Sequence, residues 1–580
     1  MELLSEWGEK LNRIEPLPDY PRMQLQRDSF VNLNGIWQYQ ITERKEDPNP
    51  NAWQEIVVPF ALGSKLCGVK GNLPKGKALW YRKQFAYKPT PSEHQTRLNF
   101  EAVDMECMVF MNGIEVGSHQ GGYTPFSMDI TQYIKYQNAL MVRCIDDTED
   151  GMFAFGKQRT EHGGMWYTPT AGIWGTVWLE DLPEHAVEDI KLTPDLEKKC
   201  VHVSLTGNFS QALITIAVDG HVIHSGLTDD KTYTAPIPNV HSWTPEDPFL
   251  YDVYVQTEDD FVRSYFGMRS FTKGFDSHGI PRFFLNQKPL FLTGLLDQGM
   301  SVDGSYTYPA DEAMIYEIKK IKDLGYNMVR KHMKVESRRW YYHADRLGLL
   351  VMQDIPCGGF AQYDVWTMGI LPNFGFCHMD DTKDSSFTRK EKQLQDNYYQ
   401  ELLDILEAYY NTVSIFAWVP FNEGWGQFNA SAVTNRIRSF DRTRLVDSAS
   451  GWHDQRCGDF ASIHNYFLPF HAKKDKQDRI LILSEFGGYS LVDYLHSEPK
   501  KEYGYKKFKD IKVMNEAIQN LYQTKVLNNI EKGLSGCIYT QVSDIEDECN
   551  GIFTADRKLI KIDERRMRRL NERLIRRLEK

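Results

Sequence analysis

Through the first 185 or so residues, apolar and polar positions alternate in short runs separated by turn residues. "MVFMNGIEVGSH" shows the pattern: two alternating runs flank Asn112-Gly113, a pair suited to a type I′ hairpin turn. No long helical period interrupts this zone. The β texture continues from Val187 to Phe271, where "ALITIAVDGHVIHS" predicts a second hairpin turning at Asp219-Gly220. Roughly 85 residues of short strands fit a small sandwich of immunoglobulin type. Past "GFDSHG" the period changes. "DEAMIYEIKKIKDLG" places Met314, Ile318, Ile321 and Leu324 on one helical face, and Gly325 is suited to end that helix. "LLDILEAYY" repeats the helical period. Between such segments lie eight strand-like runs: "PLFLTGLL", "NMVRKHM", "LLVMQDIP", "SIFAWVPF", "RLVDSAS", "SIHNYF", "ILILSEF" and "GCIYTQVSD". Eight strands alternating with helices predict a (β/α)8 barrel. An open doubly wound sheet is the competitor, but no Gly-rich phosphate turn follows a strand. The basic tail "RRMRRLNERLIRRLEK" carries Met567, Leu570, Leu574 and Leu578 at helical spacing, which predicts a packed terminal helix with a solvated Arg face.

A chain of 580 residues exceeds one ordinary core and implies roughly two to four domains. The boundaries expected are 1–185, 186–272 and 273–580. A net charge of −11 argues against nucleic acid as the main partner, since phosphate binding needs a basic face. No run approaches the length of a membrane span. "MELLSEWGEK" lacks the basic start and apolar run of a signal peptide, so a cytoplasmic setting is expected. The nine cysteines are scattered without a C-x-x-C pair, so reduced thiols are expected and a thiolate zinc site is not.

In a barrel of this type the chemistry sits at the C-terminal ends of the strands. Arg330 and His332 end the second strand two residues apart, on one face. Asp354 ends the third, Asn422 and Glu423 the fourth, His464 and Tyr466 the sixth, Glu485 the seventh and Asp544 the eighth. "SGWHDQ" puts Trp452 and His453 near the mouth after the fifth. Two glutamates on strands four and seven face each other across the mouth. Cleaving a glycosidic bond needs two carboxyl groups flanking it: one protonated, to serve the leaving oxygen, and one ionised. Arg330 and Tyr466 are placed to favour the ionised form at Glu485. No His-Asp-Glu cluster shows metal-ligand spacing, so neither a metal nor another cofactor is expected.

These residues resemble glycoside hydrolase family 2, which includes β-galactosidases, β-glucuronidases and β-mannosidases. "FVNLNGIWQYQ", "NFEAVDMECMVFMNGIEVGSHQGGYTPFSMDIT" and "GIWGTVWLE" are similar to the family's sugar-binding jelly-roll domain. "WTPEDPFLYDVYV" and "YFGMRSF" are similar to the close of its immunoglobulin-like domain, and "FFLNQKPLFLTG" to its entry into the barrel. The resemblance implies a multidomain chain: a jelly-roll β-sandwich, an immunoglobulin-like β-sandwich and a C-terminal (β/α)8 TIM barrel. It implies Glu423 as acid/base, Glu485 as nucleophile, Arg330 bordering the nucleophile, Asn422 on the sugar 2-hydroxyl and Tyr466 bonded to the nucleophile. His332, His464, Asp354, Asp544 and Trp452 are further candidates for substrate contact.

The chain also departs from the family pattern. Asp297-Gln298 stand where many members have His-Glu, and Thr540-Gln541 where the family often has Trp. "DECNGIFTADRK" lacks the Lys with which glucuronidases hold the sugar carboxylate, and leaves an acidic loop that would repel an anionic sugar. The expected function is a retaining exo-β-glycosidase acting on an oligosaccharide or β-glycoside, with no nucleic-acid or membrane partner and the family's habit of oligomers. β-Galactoside is the first choice of sugar; β-glucuronide, β-mannoside and β-glucoside stay open. A non-catalytic carbohydrate-binding protein on the same scaffold is the alternative of a different class. The long segment from Cys357 to Lys390 is a candidate lid, with Trp366 and Phe374 as candidate sugar-stacking rings.

Overall fold

The computed structural model describes residues 2–28, 30–88, 94–359, 363–383 and 387–578. The chain is multidomain: two β-sandwiches followed by a barrel. In the first sandwich a six-stranded antiparallel sheet, centred on Lys77–Ala86 and Gln137–Ile145, packs on a four-stranded one centred on Val177–Leu182 and Gln95–Phe100. Alternation makes the core: along Gln137–Ile145 every second residue is buried, among them Leu140, Val142 and Cys144. Asn112 and Gly113 both take positive φ, 53° and 85°, as a type I′ turn requires. The second sandwich has a three-stranded sheet (Val187–Asp195, Cys200–Gly207, Thr232–Pro236) and a four-stranded one (Ala212–Val218, His221–Thr228, Tyr251–Gln256, Phe261–Phe266).

Eight parallel strands follow, numbered here in chain order: β1 (Leu292–Asp297), β2 (Met328–Lys331), β3 (Leu350–Asp354), β4 (Ile415–Val419), β5 (Leu445–Val446), β6 (Phe460–Asn465), β7 (Ile480–Gly487) and β8 (Leu534–Thr540). Each lies within or overlaps one of the eight runs read from the sequence. Their spatial order is β5-β4-β3-β2-β1-β8-β7-β6. β5 and β6 meet through side chains: Ser462 Oγ donates to Asp447 Oδ2 at 2.6 Å and lies 3.3 Å from Ser450 Oγ. Apart from Ile463 and Asn465 of β6, the strands are buried along their length, as expected of a sheet covered on both faces. The tail forms a helix, Glu564–Ile575, with Met567, Leu570 and Leu574 buried and Leu578 packed on the same core. Among the described residues no helix is long and apolar enough to cross a membrane.

A small antiparallel sheet (Phe271–Phe275, Pro281–Leu285, Lys288–Pro289) closes the lower end of the barrel, with Phe283 5.1 Å from the Phe416 ring. Arg282 fastens it. Its fully buried guanidinium pairs with Asp276 at 2.9 Å and donates to the carbonyls of Leu534 (2.7 Å) and Ile530 (2.9 Å). Truncating it strands a carboxylate and two carbonyls. Arg282→Ala is therefore expected to cost about 3–5 kcal/mol, read as a fall of several degrees in the thermal transition of the purified protein.

Candidate active site

Arg330, near the end of β2, is fully buried and organises the mouth of the barrel. Its Nε and Nη2 grip Asp354 of β3 at 2.9 and 3.0 Å, a bidentate pair. Nη2 also donates to Asn422 Oδ1 at 2.8 Å, and Nη1 to Glu485 Oε1 at 3.1 Å. His332 Nδ1 lies 2.7 Å from Asp354 Oδ2, so Arg330 and His332 meet the same carboxylate, as their shared face predicts. Tyr466 donates to Glu485 Oε2 at 2.5 Å, and its ring stacks on Tyr505 at 3.6 Å. Asn422 accepts from Arg330 through Oδ1, while its buried Nδ2 has no partner among the described residues.

The local chain explains how Glu423 reaches this cluster. β4 stops at Val419, and Pro420 has no N–H to extend the ladder. Pairing resumes as an isolated bridge between Asn422 and Ser450, and the Glu423 N–H donates to the Ser450 carbonyl at 2.9 Å. Glu423 itself sits at φ 51°, a left-handed conformation uncommon for a side chain of this size. Such strain persists only where the surroundings over-determine it, and functional sites are where it collects.

His464 joins the two carboxylates. Its Nδ1 is 2.7 Å from Glu423 Oε1; its Nε2 is 3.3 Å from Arg330 Nη1, 3.1 Å from Ser450 Oγ and 3.4 Å from Glu485 Oε1. Burial holds the imidazole down to about 4, so the ring is neutral near pH 7. A guanidinium only donates; Nε2 is thus the acceptor, and the ring proton sits on Nδ1, pointing at Glu423. Burial also pushes the Glu423 carboxyl up to about 7, against the pull of Lys157 and Arg330. With His464 bonded to Oε1, the carboxyl proton belongs on Oε2, which has no partner among the described residues. Burial raises Glu485 as well, and Glu423 adds to the rise, but the Arg330 guanidinium and the Tyr466 hydroxyl oppose it. Two donors, Arg330 and Tyr466, serve Glu485, against the single neutral imidazole N–H at Glu423, an arrangement that favours the charge on Glu485 and the proton on Glu423.

The facing atoms of Glu423, His464 and Glu485 all lie within 4.8 Å of one another. A divalent ion would fit that spacing, but the Arg330 guanidinium beside Glu485 and His464 repels one. A second trio, the partly buried Asp195 and His202 with the buried Cys200, lies on the second sandwich.

Not every sequence candidate joins this cluster. Asp544 is spent on Lys561 (2.6 Å), Ser497 (2.8 Å) and the Gly551 N–H (2.9 Å), tying the loop after β8 rather than facing Glu423 or Glu485. Trp452 lies edge-on to His464 at 5.2 Å and donates Nε1 to the Met368 carbonyl, making it a wall behind the imidazole. Within the candidate lid segment, of which residues 360–362 and 384–386 lie outside the described ones, Thr367 packs on this side, its carbonyl 2.8 Å from His453 Nε2. Trp366 and Phe374 face outward, 59% and 46% exposed. Gln298, Gln541 and Asn550 form a chain of amides at 2.8 Å steps.

Sequence reading missed Lys157. It comes from the first sandwich, on a loop whose Phe155 and Gly156 N–H groups donate to the Cys357 carbonyl. Its charge is felt by Glu423, His332 and His464. No local pattern in "AFGKQRT" marks it, because its role depends on a second domain.

Residues 67–183 match the profile described as "Glycosyl hydrolases family 2, sugar binding domain", and residues 281–562 that described as "Glycosyl hydrolases family 2, TIM barrel domain". A putative beta-glucuronidase of Formosa agariphila is 26% identical over 459 residues, covering 73% of this chain and 40% of that protein. A beta-galactosidase of Thermoanaerobacter pseudethanolicus is 30% identical over 307 residues, covering 48% of this chain and 39% of that protein. The chain thus spans about two-fifths of the length of these curated relatives. Among solved structures, a beta-glucuronidase of an uncultured Clostridium superposes with a TM-score of 0.75 at 17% identity, covering 95% of this chain and 99% of that one. At that identity the likeness speaks for the fold.

Proposed function

Since the chain belongs to glycosyl hydrolases family 2, we propose that it is a retaining exo-β-glycosidase, with Glu485 as nucleophile and Glu423 as acid/base. The carrying observation is the spacing of the pair: facing oxygens within 4.8 Å suit double displacement, whereas an inverting pair stands about 6.5–9.5 Å apart to admit water. Glu485 attacks the anomeric carbon and the glycosidic bond breaks. Glu423 gives its Oε2 proton to the departing oxygen. Water then enters, loses its proton to Glu423 and attacks the anomeric carbon from the face the aglycone left. The sugar departs with its β configuration, and Glu485 is free again. Arg330 and Tyr466 hold Glu485 ionised and aimed. The Asn422 Nδ2, without a partner among the described residues, is suited to the sugar 2-hydroxyl.

Relatives carry both galactosidase and glucuronidase names, so β-galactosides and β-glucuronides are the first sugars to test. Hydrolysis of a panel of nitrophenyl β-glycosides, followed by NMR of the first-formed anomer, checks the reading. At least one member should be cleaved to the β anomer. Cleavage to the α anomer would sink the assignment, and silence across the panel would favour the carbohydrate-binding alternative.

The raised Glu423 carboxyl also sets a pH dependence. The acid must be protonated to act, so kcat/KM should fall as pH rises through about 7. A pH–rate profile of the wild type should show that alkaline limb, and Glu423→Gln should lose it. An alkaline limb retained in the variant would assign it to another group.

A further inference from the structure

Two donors near the acid/base have no acceptor among the described residues. Lys157 is only 6% exposed as a residue, and its ammonium, which still reaches solvent, makes no hydrogen bond or ion pair with any described residue. It lies 5.6 Å from the centroid of the Tyr167 ring and 5.8 Å from that of Trp425. Trp425, two residues past Glu423, is 1% exposed, and its indole Nε1 is likewise unpartnered. Its ring is 6.1 Å from that of His332, which places the pair beside the Arg330–Asp354 cluster. A buried indole N–H left without an acceptor is costly, and a ligand oxygen placed between it and the ammonium would satisfy both. An arrangement offering only donors selects a ligand group offering only acceptors.

Lys157 is held rigidly. Gly156 before it takes φ 59°, and a Cβ there would meet the Met333 carbonyl at 2.6 Å. Gln158 after it is tied to Asp104 (3.1 Å) and the Thr170 N–H (2.5 Å). Tyr167 donates its N–H to the Lys157 carbonyl at 2.9 Å. The acidic loop that the sequence sets against an anionic substrate is largely engaged elsewhere. Tyr167 donates its hydroxyl to Glu548, Asp547 accepts from the Lys501 and Gly164 N–H groups, and Asp544 pairs with Lys561.

We propose that Lys157 and Trp425 form a subsite for an oxyanion on the substrate, a carboxylate or a sulfate ester, held next to Glu423. The proposal rests on the glycosidase reading above. The first sandwich then supplies a residue that selects substrate rather than serving only as a support.

The test measures kcat/KM on nitrophenyl β-glucuronide and β-galacturonide, on a 6-sulfated β-galactoside, and on the neutral glucoside and galactoside. The proteins are the full-length wild type, Lys157→Met, Lys157→Arg and Trp425→Phe. Wild type should favour one anionic substrate over its neutral counterpart by about 100-fold or more, and whether that substrate is a uronide or the sulfate names the source of the oxyanion. Lys157→Met should lower this anionic-to-neutral ratio by about 100-fold. Trp425→Phe, which keeps the ring and loses the N–H, should lower it about 10-fold. Lys157→Arg keeps the charge and should hold a ratio well above that of Lys157→Met, which separates lost recognition from misfolding. A wild type preferring neutral glycosides, or a ratio unmoved by Lys157→Met, overturns the subsite and leaves the glycosidase reading intact. Silence on every glycoside removes both.

Discussion

Glu485→Gln should lower kcat on any cleaved glycoside by about 10⁴-fold or more. The amide is nearly isosteric with the carboxylate, so packing around β7 is retained and the Arg330–Asp354 pair keeps both its hydrogen bonds. What is lost is the negative oxygen that attacks the anomeric carbon. Arg330 and Tyr466, which donate at 3.1 and 2.5 Å to the two carboxyl oxygens, then face an amide with a single acceptor. Stopped assays with an unchanged melting profile check this. Azide gives a sharper reading with Glu485→Gly, which opens space at the nucleophile. The anion should displace the aglycone in one step from the vacated face and yield the α-glycosyl azide. A Glu485 variant within about tenfold of wild type would remove the nucleophile assignment.

Glu423→Ala should separate substrates by leaving group. Where the departing oxygen is strongly basic, proton donation is required, and kcat/KM should fall by about 10²–10⁴-fold. A dinitrophenolate needs no proton to depart, so its kcat/KM should change little. Its turnover should instead stall at the second step, where Glu423 no longer takes the proton of the attacking water. Azide needs no such base. It should restore turnover and yield the β-glycosyl azide, opposite in configuration to the product expected from the nucleophile variant. Equal losses for good and poor leaving groups would contradict the acid role. The geometry behind the prediction is the His464 imidazole, whose Nδ1 proton occupies Glu423 Oε1 at 2.7 Å and leaves Oε2 to the substrate.

Much of this arrangement is legible in the sequence, because it is written at short range. The eight barrel strands are short apolar runs, and a residue at the end of such a run is carried to the barrel mouth by the strand itself. Arg330, Asp354, Asn422, Glu423, His464, Tyr466 and Glu485 meet there for that reason. Asp544 breaks the rule. It lies four residues beyond β8, after the chain has begun to turn, and Lys561 returns to claim it. The use of His464 was also hidden. A lone histidine at a strand end reads as a substrate contact, yet both its ring nitrogens are committed to neighbours. Trp366 and Phe374 read as sugar-stacking rings from composition alone, whereas their segment turns Met368 inward and leaves them outside. Lys157 was least legible of all. Its loop belongs to a different domain, and a pair of N–H groups donating to the Cys357 carbonyl brings it to the barrel.

In the proposed mechanism Glu485 forms a covalent bond to the sugar while Glu423 stands opposite as the acid. Incubation with the 2-deoxy-2-fluoro analogue of a cleaved glycoside, bearing a dinitrophenolate leaving group, slows release of the intermediate. Peptide mass mapping then locates the adduct. One sugar per chain is expected, attached to Glu485 in the peptide containing "LSEFGG", and none on the Glu485→Gln protein. An adduct on Glu423, Asp354 or another side chain, or full turnover of the natural glycoside to the α anomer with no adduct formed, would contradict it.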